Sequence, residues 1–329
     1  MSLVLTGAEV ARVLDLDLAL EAAREAFRAY GEGRANMPPK SYLNLAQGDF
    51  RAMYGEIFLP HGHVCGLKWV NVHPGNPRRG LPTVMAKILL NDPDTGLEWA
   101  DLDGTLITNY RTGAAGGVAA DLLSRPESRC LGVVGAGAQA RTQIAAALKV
   151  RPITEIVICD CAHARARTLM EEVAASYGVA TRLAPTPQET ARAADILITA
   201  TPSCQPLVLR EWVRPGTHIN AVGADAAGKQ ELDPNLLRVA TIVVDDWAQA
   251  SHSGEINVPL SRGEIAPGDI YGSLGEIVAG KKPGRRSAEE ITVFDSTGLI
   301  IQDLALGYAV YLRALAEGLG EVKDFLRTD

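Results

Sequence analysis

The chain has 329 residues, of which 47% are hydrophobic and 22% are charged, so it is long enough for two domains and has the composition of a soluble globular protein. Its net charge of −7, from 39 acidic and 32 basic residues, argues against a nucleic-acid partner. No apolar run reaches the roughly 18 residues that cross a membrane. The first residues do not show the basic stretch followed by an apolar core that is typical of a signal peptide, so we expect none.

The residues near the N-terminus predict two helices followed by several strands. An apolar stripe that includes Val10 and Val13 indicates the first helix, and Asp17 is a plausible N-cap for the second, which ends near Gly33. Strand-like runs then cover 42–45, 50–54, 64–72 and 83–90. Helices followed by a run of strands favour an α+β domain.

A helix rich in small residues begins near Asn109, and Pro126 marks the predicted boundary between domains. Beyond it, strands alternate with helices, and the predicted strands are 131–134, 155–159, 195–200, 217–222, 241–245 and 291–295. This alternation predicts an α/β fold, a Rossmann-type doubly wound parallel sheet. We therefore expect an NAD-binding Rossmann domain over residues 125–304 and a second, α+β substrate-binding and dimerisation domain over 1–124 with 305–329.

A glycine turn organises the second of these domains. The apolar run 131–134 is followed by Gly135, Gly137 and Ala140 in a Gly-x-Gly-x-x-Ala pattern, and then by a helix. Strand, glycine turn and helix form the context in which this pattern binds a dinucleotide. Gly137 leaves room for a pyrophosphate, which the N–H groups at the helix N-terminus can bind.

Asp160 ends the next predicted strand, 25 residues after Gly135, near the spacing at which an acid binds the adenine ribose. An acid there favours NAD, because it would repel the 2′-phosphate of NADP, although Arg165 and Arg167 are close enough that NADP is not excluded. Asp160 could instead cap the next helix.

Other candidates lie where the predicted parallel strands end, which is where ligands bind in open sheets. Thr201 follows one such strand, Val222 ends a second, Ser296 follows a third, and Asp225 lies in a glycine-bracketed loop. Asp225 is also a typical turn-forming residue, so its position alone leaves both interpretations open.

Lys68 interrupts an apolar run inside a predicted strand. If it faces a covered cleft, burial would lower its pKa and allow it to donate a proton to a carbonyl oxygen. It could equally face solvent on an alternating strand. Arg51 and Arg111 could grip a carboxylate with two parallel hydrogen bonds, or could be surface arginines.

No Cys or His arrangement indicates a metal. None of the cysteines forms a C-x-x-C pair, so we expect reduced thiols in a cytoplasmic protein and no metal site. The five cysteines are Cys65, Cys130, Cys159, Cys161 and Cys204.

Taken together, these segments resemble the ornithine cyclodeaminase/μ-crystallin family over nearly the whole chain. The motifs are Gly66-Leu67-Lys68-Trp69-Val70, His73-Pro74-Gly75-Asn76-Pro77, Gly80-Leu81-Pro82-Thr83-Val84, Arg111-Thr112-Gly113-Ala114-Ala115, Gly135-Ala136-Gly137-Ala138-Gln139 and Val293-Phe294-Asp295-Ser296-Thr297-Gly298. Within the family, the chain looks most like the archaeal-type alanine dehydrogenases. That likeness rests on runs that include Gly48-Asp49-Phe50-Arg51-Ala52-Met53, Lys229-Gln230-Glu231-Leu232-Asp233 and Gly254-Glu255-Ile256-Asn257.

The resemblance implies roles for named residues. Lys68 and Asp225 would be the catalytic pair, and Arg51, with Lys40 or Arg111, would bind the substrate carboxylate. The residues expected around NAD are Gly135, Gly137, Ala138, Gln139, Asp160, Thr112, Thr201, Val222 and Ser296. The reaction implied is the reversible, NAD-dependent oxidative deamination of a small L-amino acid, most simply L-alanine, by a homodimer.

Three alternatives stay open. The cyclodeaminases, which convert ornithine to proline, carry a glutamate where this chain has Arg51. A second alternative is reduction of a cyclic imine such as pyrroline-2-carboxylate. The third is of another class: an NAD(P)H-dependent small-molecule binding protein, like μ-crystallin in its hormone-binding role.

Overall fold

The structure, a computed structural model, describes residues 1–325. The chain forms two compact units, of which the first contains Met1–Arg111 together with the segment from Leu299 on, and the second contains Thr112–Gly298. The units divide within one long helix, Gly104–Leu123, whereas the predicted boundary at residue 124 lies at the end of that helix. The backbone hydrogen bonds of a helix are local, so one helix can run from one unit into the next without a break. The helical pattern in the sequence therefore does not show at which residue the packing partners of the helix change.

The first unit begins with a strand and two helices, which are followed by six more strands. They are β1 (Ser2–Leu5), α1 (Gly7–Val13), α2 (Leu16–Gly31), β2 (Ala35–Asn36), β3 (Ser41–Leu45), β4 (Gly48–Leu59), β5 (Gly62–Val72), β6 (Val84–Asn91) and β7 (Glu98–Asp103). Asp15 caps α2 by accepting the N–H of Leu18 at 2.7 Å. The predicted N-cap, Asp17, is therefore wrong; it lies in the first turn, where the helix dipole also favours an acid.

The chain then runs through the second unit. Its helices are α3 (Gly104–Leu123, shared with the first unit), α4 (Ala138–Val150), α5 (His163–Tyr177), α6 (Pro187–Ala193), α7 (Pro234–Leu237), α8 (Trp247–Ser253), α9 (Asn257–Ser261) and α10 (Leu274–Val278). Its strands are β8 (Cys130–Val134), β9 (Glu155–Cys159), β10 (Ala180–Leu183), β11 (Ile196–Thr199), β12 (Cys204–Val208), β13 (His218–Ala221), β14 (Gln230–Leu232), β15 (Thr241–Val244), β16 (Ile270–Ser273) and β17 (Thr292–Asp295). The chain returns to the first unit with α11 (Ile300–Glu317) and β18 (Glu321–Lys323).

The first unit has one mixed sheet, with α11 packed on β4, β5 and β6. The strand order is β18-β1-β7-β6-β5-β4-β2, and β3 pairs with β4. Gly66 allows α11 to approach, because a Cβ there would lie 2.9 Å from Leu304 Cδ2 and 2.2 Å from the backbone oxygen of Leu89. The covered face of β4 and β5 is therefore closely packed at this point, and side chains that point into it are buried.

The second unit contains a parallel sheet in the order β10-β9-β8-β11-β13-β17-β15-β16. Chain order reverses between β8 and β11, as in the Rossmann-type doubly wound fold. The predicted α/β fold class is confirmed, and the six predicted strands all lie within one residue of observed strands. Of the helices within residues 1–325, none is long and apolar enough to cross a membrane.

Candidate active site

Lys68 lies in β5 with its side chain on the covered face of the sheet. It is only 1% exposed, so the solvent-facing alternative is wrong. Its neighbour across the sheet, Met53 of β4, is also buried, whereas Trp69 on the opposite face is 42% exposed. Alternation along the strand thus places a lysine where an aliphatic residue is normally found.

Asp303 is the partner of this lysine. Its Oδ2 accepts a hydrogen bond from Lys68 Nζ at 2.6 Å, and its Oδ1 accepts one from Arg111 Nε at 3.0 Å. Arg111 Nη1 also donates to Gln302 Oε1 at 3.2 Å. Asp303 is fully buried in the first turn of α11, where the helix dipole favours its negative charge. Two cations therefore share one buried carboxylate.

Burial, the dominant cause, lowers the pKa of Lys68 to about 7, because desolvation disfavours the ammonium form. The nearby guanidinium of Arg111 lowers it further, and the carboxylate of Asp303 works in the opposite direction. A lysine with this pKa can both donate and accept a proton near neutral pH, which an ordinary lysine cannot do.

Arg51 lies on β4, on the same covered face as Lys68, and it too is buried. Its Nε donates to Asp49 Oδ1 at 2.8 Å, and its guanidinium lies 5.5 Å from the centre of the Tyr42 ring. Lys40, in the segment before β3, acts electrostatically on Lys68. The first unit thus contributes four basic side chains, and their partners include the carboxylates of Asp49 and Asp303. This excess of basic groups suits a ligand that carries a negative charge. The four are Lys40, Arg51, Lys68 and Arg111.

The glycine turn of the second unit has the geometry that the sequence predicts. Gly135 has φ +100°, and a Cβ there would lie 2.6 Å from the backbone oxygen of Ala200. A Cβ on Gly137 would meet open space, so the backbone at this position is accessible. Gly137 is the N-cap of α4 and provides no side-chain hydrogen bond, and Ala138 and Gln139 begin the first turn of this helix, the part of a helix whose N–H groups typically bind a phosphate.

Asp160 follows β9 and holds the glycine turn. Its Oδ2 accepts the N–H of Ala136 at 2.7 Å, and its Oδ1 accepts the N–H of Ala162 at 2.7 Å, just before α5. Oδ1 also accepts a hydrogen bond from Cys161 Sγ at 3.6 Å, whereas a carboxylate oxygen such as Oδ2 can accept more than one hydrogen bond, including one from a ribose hydroxyl. The hydrogen bond to Ala162 is a contact of the kind expected if Asp160 capped the next helix, which we considered as an alternative role. This contact is compatible with a cofactor role for Asp160.

Three of the remaining cofactor candidates lie close to the same edge of the sheet, since the parallel strands β8, β9, β11, β13 and β17 all end there. Thr201 and Val222 follow β11 and β13. Ser296 follows β17, and its Oγ is buried with no hydrogen-bond partner among the described residues. Thr112 lies beside α4, because its carbonyl accepts a hydrogen bond from Gln143 Nε2 at 2.8 Å.

Asp225 lies in the loop that follows β13, partly exposed. Its Oδ1 accepts a hydrogen bond from Lys229 Nζ at 2.5 Å, so it forms an ion pair within the loop and is more than a turn former. Near this loop, burial raises the pKa values of the Glu231 and Glu255 carboxyls, and it raises the pKa of Asp295 to about 8. The second unit therefore holds protonatable acids inside its fold.

Several of these residues escaped the sequence analysis. Asp303 and Gln302 lie at the start of α11, and a carboxylate inside such an apolar helix is a usable signal of a buried ion pair. Glu231 and Glu255 were noticed only as parts of family motifs. Within residues 1–325, no group of three His, Cys, Asp or Glu side chains is arranged to hold a metal, and the five cysteines are free.

Known proteins share both the sequence and the fold. The chain is 48% identical to alanine dehydrogenase of Archaeoglobus fulgidus over 99% of both proteins. It superposes with TM-score 0.94 on an archaeal alanine dehydrogenase dimer with bound NAD, at 48% identity and 99% coverage of both chains. The TM-score is also 0.94 for the Δ1-pyrroline-2-carboxylate reductase of Thermococcus litoralis in complex with NADH and L-proline, at 36% identity, with 98% and 100% of the two chains covered.

A family model covers most of the chain as well. It matches residues 1–318, which include most of the first unit, all of the second and every candidate site residue named above. With this match and the identity to curated relatives, the chain belongs to the ornithine cyclodeaminase/mu-crystallin family.

Proposed function

We propose that this protein is an NAD-dependent oxidoreductase that acts on a small L-amino acid, and that its reaction is the reversible oxidative deamination of L-alanine to pyruvate and ammonia. The observation that carries the proposal is the buried Lys68, which shares the carboxylate of Asp303 with Arg111 and has a pKa of about 7. A structural lysine would not need a buried site and a shared carboxylate, whereas an acid–base catalyst is helped by both.

The residues of the second unit fit NAD. The open backbone at Gly137 and the uncapped start of α4 suit a pyrophosphate, and Asp160 suits a ribose diol. The buried, unpartnered Oγ of Ser296 at a strand end supplies a donor that a bound cofactor would satisfy. Thr112, Thr201 and Val222 complete the proposed site. Bound NADH supplies the hydride that C2 of the substrate receives.

The cationic side chains of the first unit fit the carboxylate that every 2-oxo acid and amino acid carries. Arg51 and Arg111 are both buried, and the fork of N–H donors on a guanidinium matches the two oxygens of a carboxylate. Lys40 adds a further positive charge. We assign Arg51, Arg111 and Lys40 to the substrate carboxylate.

The proton transfers follow from the two proposed catalytic groups. In the reductive direction, ammonia forms the C–N bond at C2 of pyruvate, and the ammonium form of Lys68 protonates the carbonyl oxygen. The carboxylate of Asp225 accepts a proton from the nitrogen now bound to C2 and passes it to this oxygen, which leaves as water when the C=N bond forms. Hydride addition at C2 and protonation of the nitrogen then give L-alanine. Overall, pyruvate, ammonium, NADH and a proton yield L-alanine, NAD⁺ and water.

One other reaction has support from a specific observation. The Thermococcus litoralis structure that resembles this chain is described as a Δ1-pyrroline-2-carboxylate reductase with NADH and L-proline. Reduction of such a cyclic imine needs the same hydride transfer and carboxylate binding but no added ammonia.

A substrate panel read at 340 nm tests the proposal and separates the alternatives. L-Alanine with NAD should produce NADH together with equal amounts of pyruvate and ammonia, and pyruvate should consume NADH only when ammonia is added. Consumption of NADH by pyrroline-2-carboxylate alone would indicate the cyclic-imine reductase. Ammonia from ornithine without net NADH would indicate a cyclodeaminase. NADH binding without turnover of any substrate would contradict the enzymatic proposal.

We further propose a homodimer that forms through the exposed face of the first sheet. Register places six apolar side chains on this face, and Phe50 stacks on Trp69 with ring centres 5.0 Å apart. They are Leu43, Leu45, Phe50, Tyr54, Phe58 and Trp69. An apolar patch of this kind marks an interaction surface. Light scattering should give twice the 35.0 kDa chain mass, and a monomer would contradict this assembly.

A further inference from the structure

The loop that carries Asp225, residues 223–229, is anchored at its start by a buried glutamate. The N–H of Gly223 donates to Glu231 Oε2 at 3.0 Å, and the other oxygen of this carboxylate accepts the N–H of Thr201 at 2.8 Å. Glu231 lies in β14 and is fully buried. One carboxyl group therefore ties the loop to the end of the neighbouring strand β11, and the loop cannot move away from that edge without breaking buried hydrogen bonds.

A buried asparagine anchors the end of the same loop. Asn257, the first residue of α9, accepts the N–H of Gly228 at 3.0 Å and donates to the carbonyl of Lys229 at 2.9 Å. Just before it, Glu255 accepts the backbone N–H groups of Glu231 and Leu232 at 2.7 to 3.1 Å. Both anchors belong to the runs Lys229-Gln230-Glu231-Leu232-Asp233 and Gly254-Glu255-Ile256-Asn257, whose roles the proposed reaction leaves unexplained.

Within this loop, the side chain of Lys229 contacts Asp225, the catalytic candidate, directly. Its Nζ lies 2.5 Å from Asp225 Oδ1, and both side chains are partly exposed, at 23% and 30%. A salt bridge between exposed side chains restrains them little when the backbone that carries them can move. Here the backbone is held at Gly223, Gly228 and Lys229, so the ion pair limits the Asp225 carboxylate to a small range of positions.

We propose that Lys229 is a positioning residue, which holds the Asp225 carboxylate in place for proton transfer, and that Asn257 holds the loop that carries both. The inference rests on the catalytic role proposed for Asp225. Lys229 acts through this carboxylate and needs no contact with the substrate, so its loss should change the rate of proton transfer and leave the binding of cofactor and amino acid intact.

The first test removes the charge and keeps the length of the side chain. Lys229→Met should lower kcat by about 10- to 100-fold, because a misplaced catalytic group costs on this order. The KM for L-alanine and the Kd for NADH should stay within about twofold, as expected when only the chemical step is affected. Lys229→Arg should recover most of the activity, since it restores the cation. Lys281→Met, an exposed lysine of the same unit, is the control and should behave as wild type.

The second test addresses the loop. Asn257→Ala should lower kcat and should also speed hydrogen exchange at the Gly228 amide, because this N–H loses its acceptor. Unchanged exchange at Gly228 together with wild-type kcat would contradict the role of Asn257.

A double-mutant cycle separates this inference from the proposed function. In an Asp225→Asn background, Lys229→Met should cause no further loss of kcat, because the residue acts through a carboxylate that is already gone. If Asp225→Asn inactivates the enzyme but Lys229→Met keeps wild-type kcat, or Lys229→Arg is as poor as Lys229→Met, the positioning role is wrong. If Asp225→Asn itself keeps wild-type kcat, the proposed role of Asp225 fails, and the inference fails with it.

Discussion

Replacement of Lys68 by methionine is expected to lower kcat by about 10²- to 10⁴-fold, the usual contribution of a positioned acid–base group. Methionine fills a similar volume and removes the titrating amine. Asp303 keeps its hydrogen bond to Arg111, so no buried carboxylate is left without a cation. The glycine turn belongs to the other compact unit, and we therefore expect NADH to bind with unchanged affinity.

Lys87→Met is the matched control for this variant. Lys87 lies on the adjacent strand β6, is exposed and pairs with Asp101 at 2.8 Å, so its loss removes a lysine from the same sheet without touching the buried ion pair. Steady-state kinetics and NADH fluorescence titration would measure both variants. Wild-type turnover in Lys68→Met, or equal losses in the two variants, would contradict a catalytic role for Lys68.

Asp225→Asn should have an effect of similar size, about 10²-fold or more, because the amide cannot exchange a proton near neutral pH. The substitution keeps the shape of the side chain and an oxygen that Lys229 can contact. The melting temperature should therefore change little, while kcat falls in both reaction directions. Glu127→Gln, at an exposed carboxylate of the same unit, serves as the control. If Asp225→Asn changes only the affinity for NADH, the residue belongs to the cofactor site and does not catalyse.

The sequence predicted the parts of the fold and site that depend on local pattern. The glycine turn is visible because only glycine tolerates the φ of +100° and the close backbone approach at Gly135, and because Gly137 follows it at the spacing of the dinucleotide-binding pattern. The strands of the parallel sheet are visible as short apolar runs, since both faces of such a sheet are covered. The positions of Lys68 and Asp225 in the sequence marked them as candidates but left other interpretations open, and the resemblance to the family implied their catalytic roles.

What the sequence could not predict depends on contacts between distant segments. The partner of Lys68 is Asp303, 235 residues away, and neither residue shows alone that the other is near. The strand β1 was not predicted, because the four residues Ser2–Leu5 are too few to show a strand pattern in the sequence. In the structure it pairs with both β7 and β18. The anchors of the Asp225 loop were also hidden, since Glu231 and Asn257 have no local sign of burial.

The most direct test of the account is a titration of the Lys68 amine. The Cε resonance of Lys68, in protein labelled with ¹³C-lysine and assigned by its loss in Lys68→Met, reports whether the side chain is an ammonium or an amine. The account predicts a midpoint of about 7, with the ammonium form below it and the amine above it, because burial lowers the pKa. Asp303→Asn should move the midpoint to lower pH, since it removes the charge that favours the ammonium form. A midpoint near the ordinary lysine value of about 10.4 would contradict the account, because Lys68 would then have no means of exchanging protons at neutral pH.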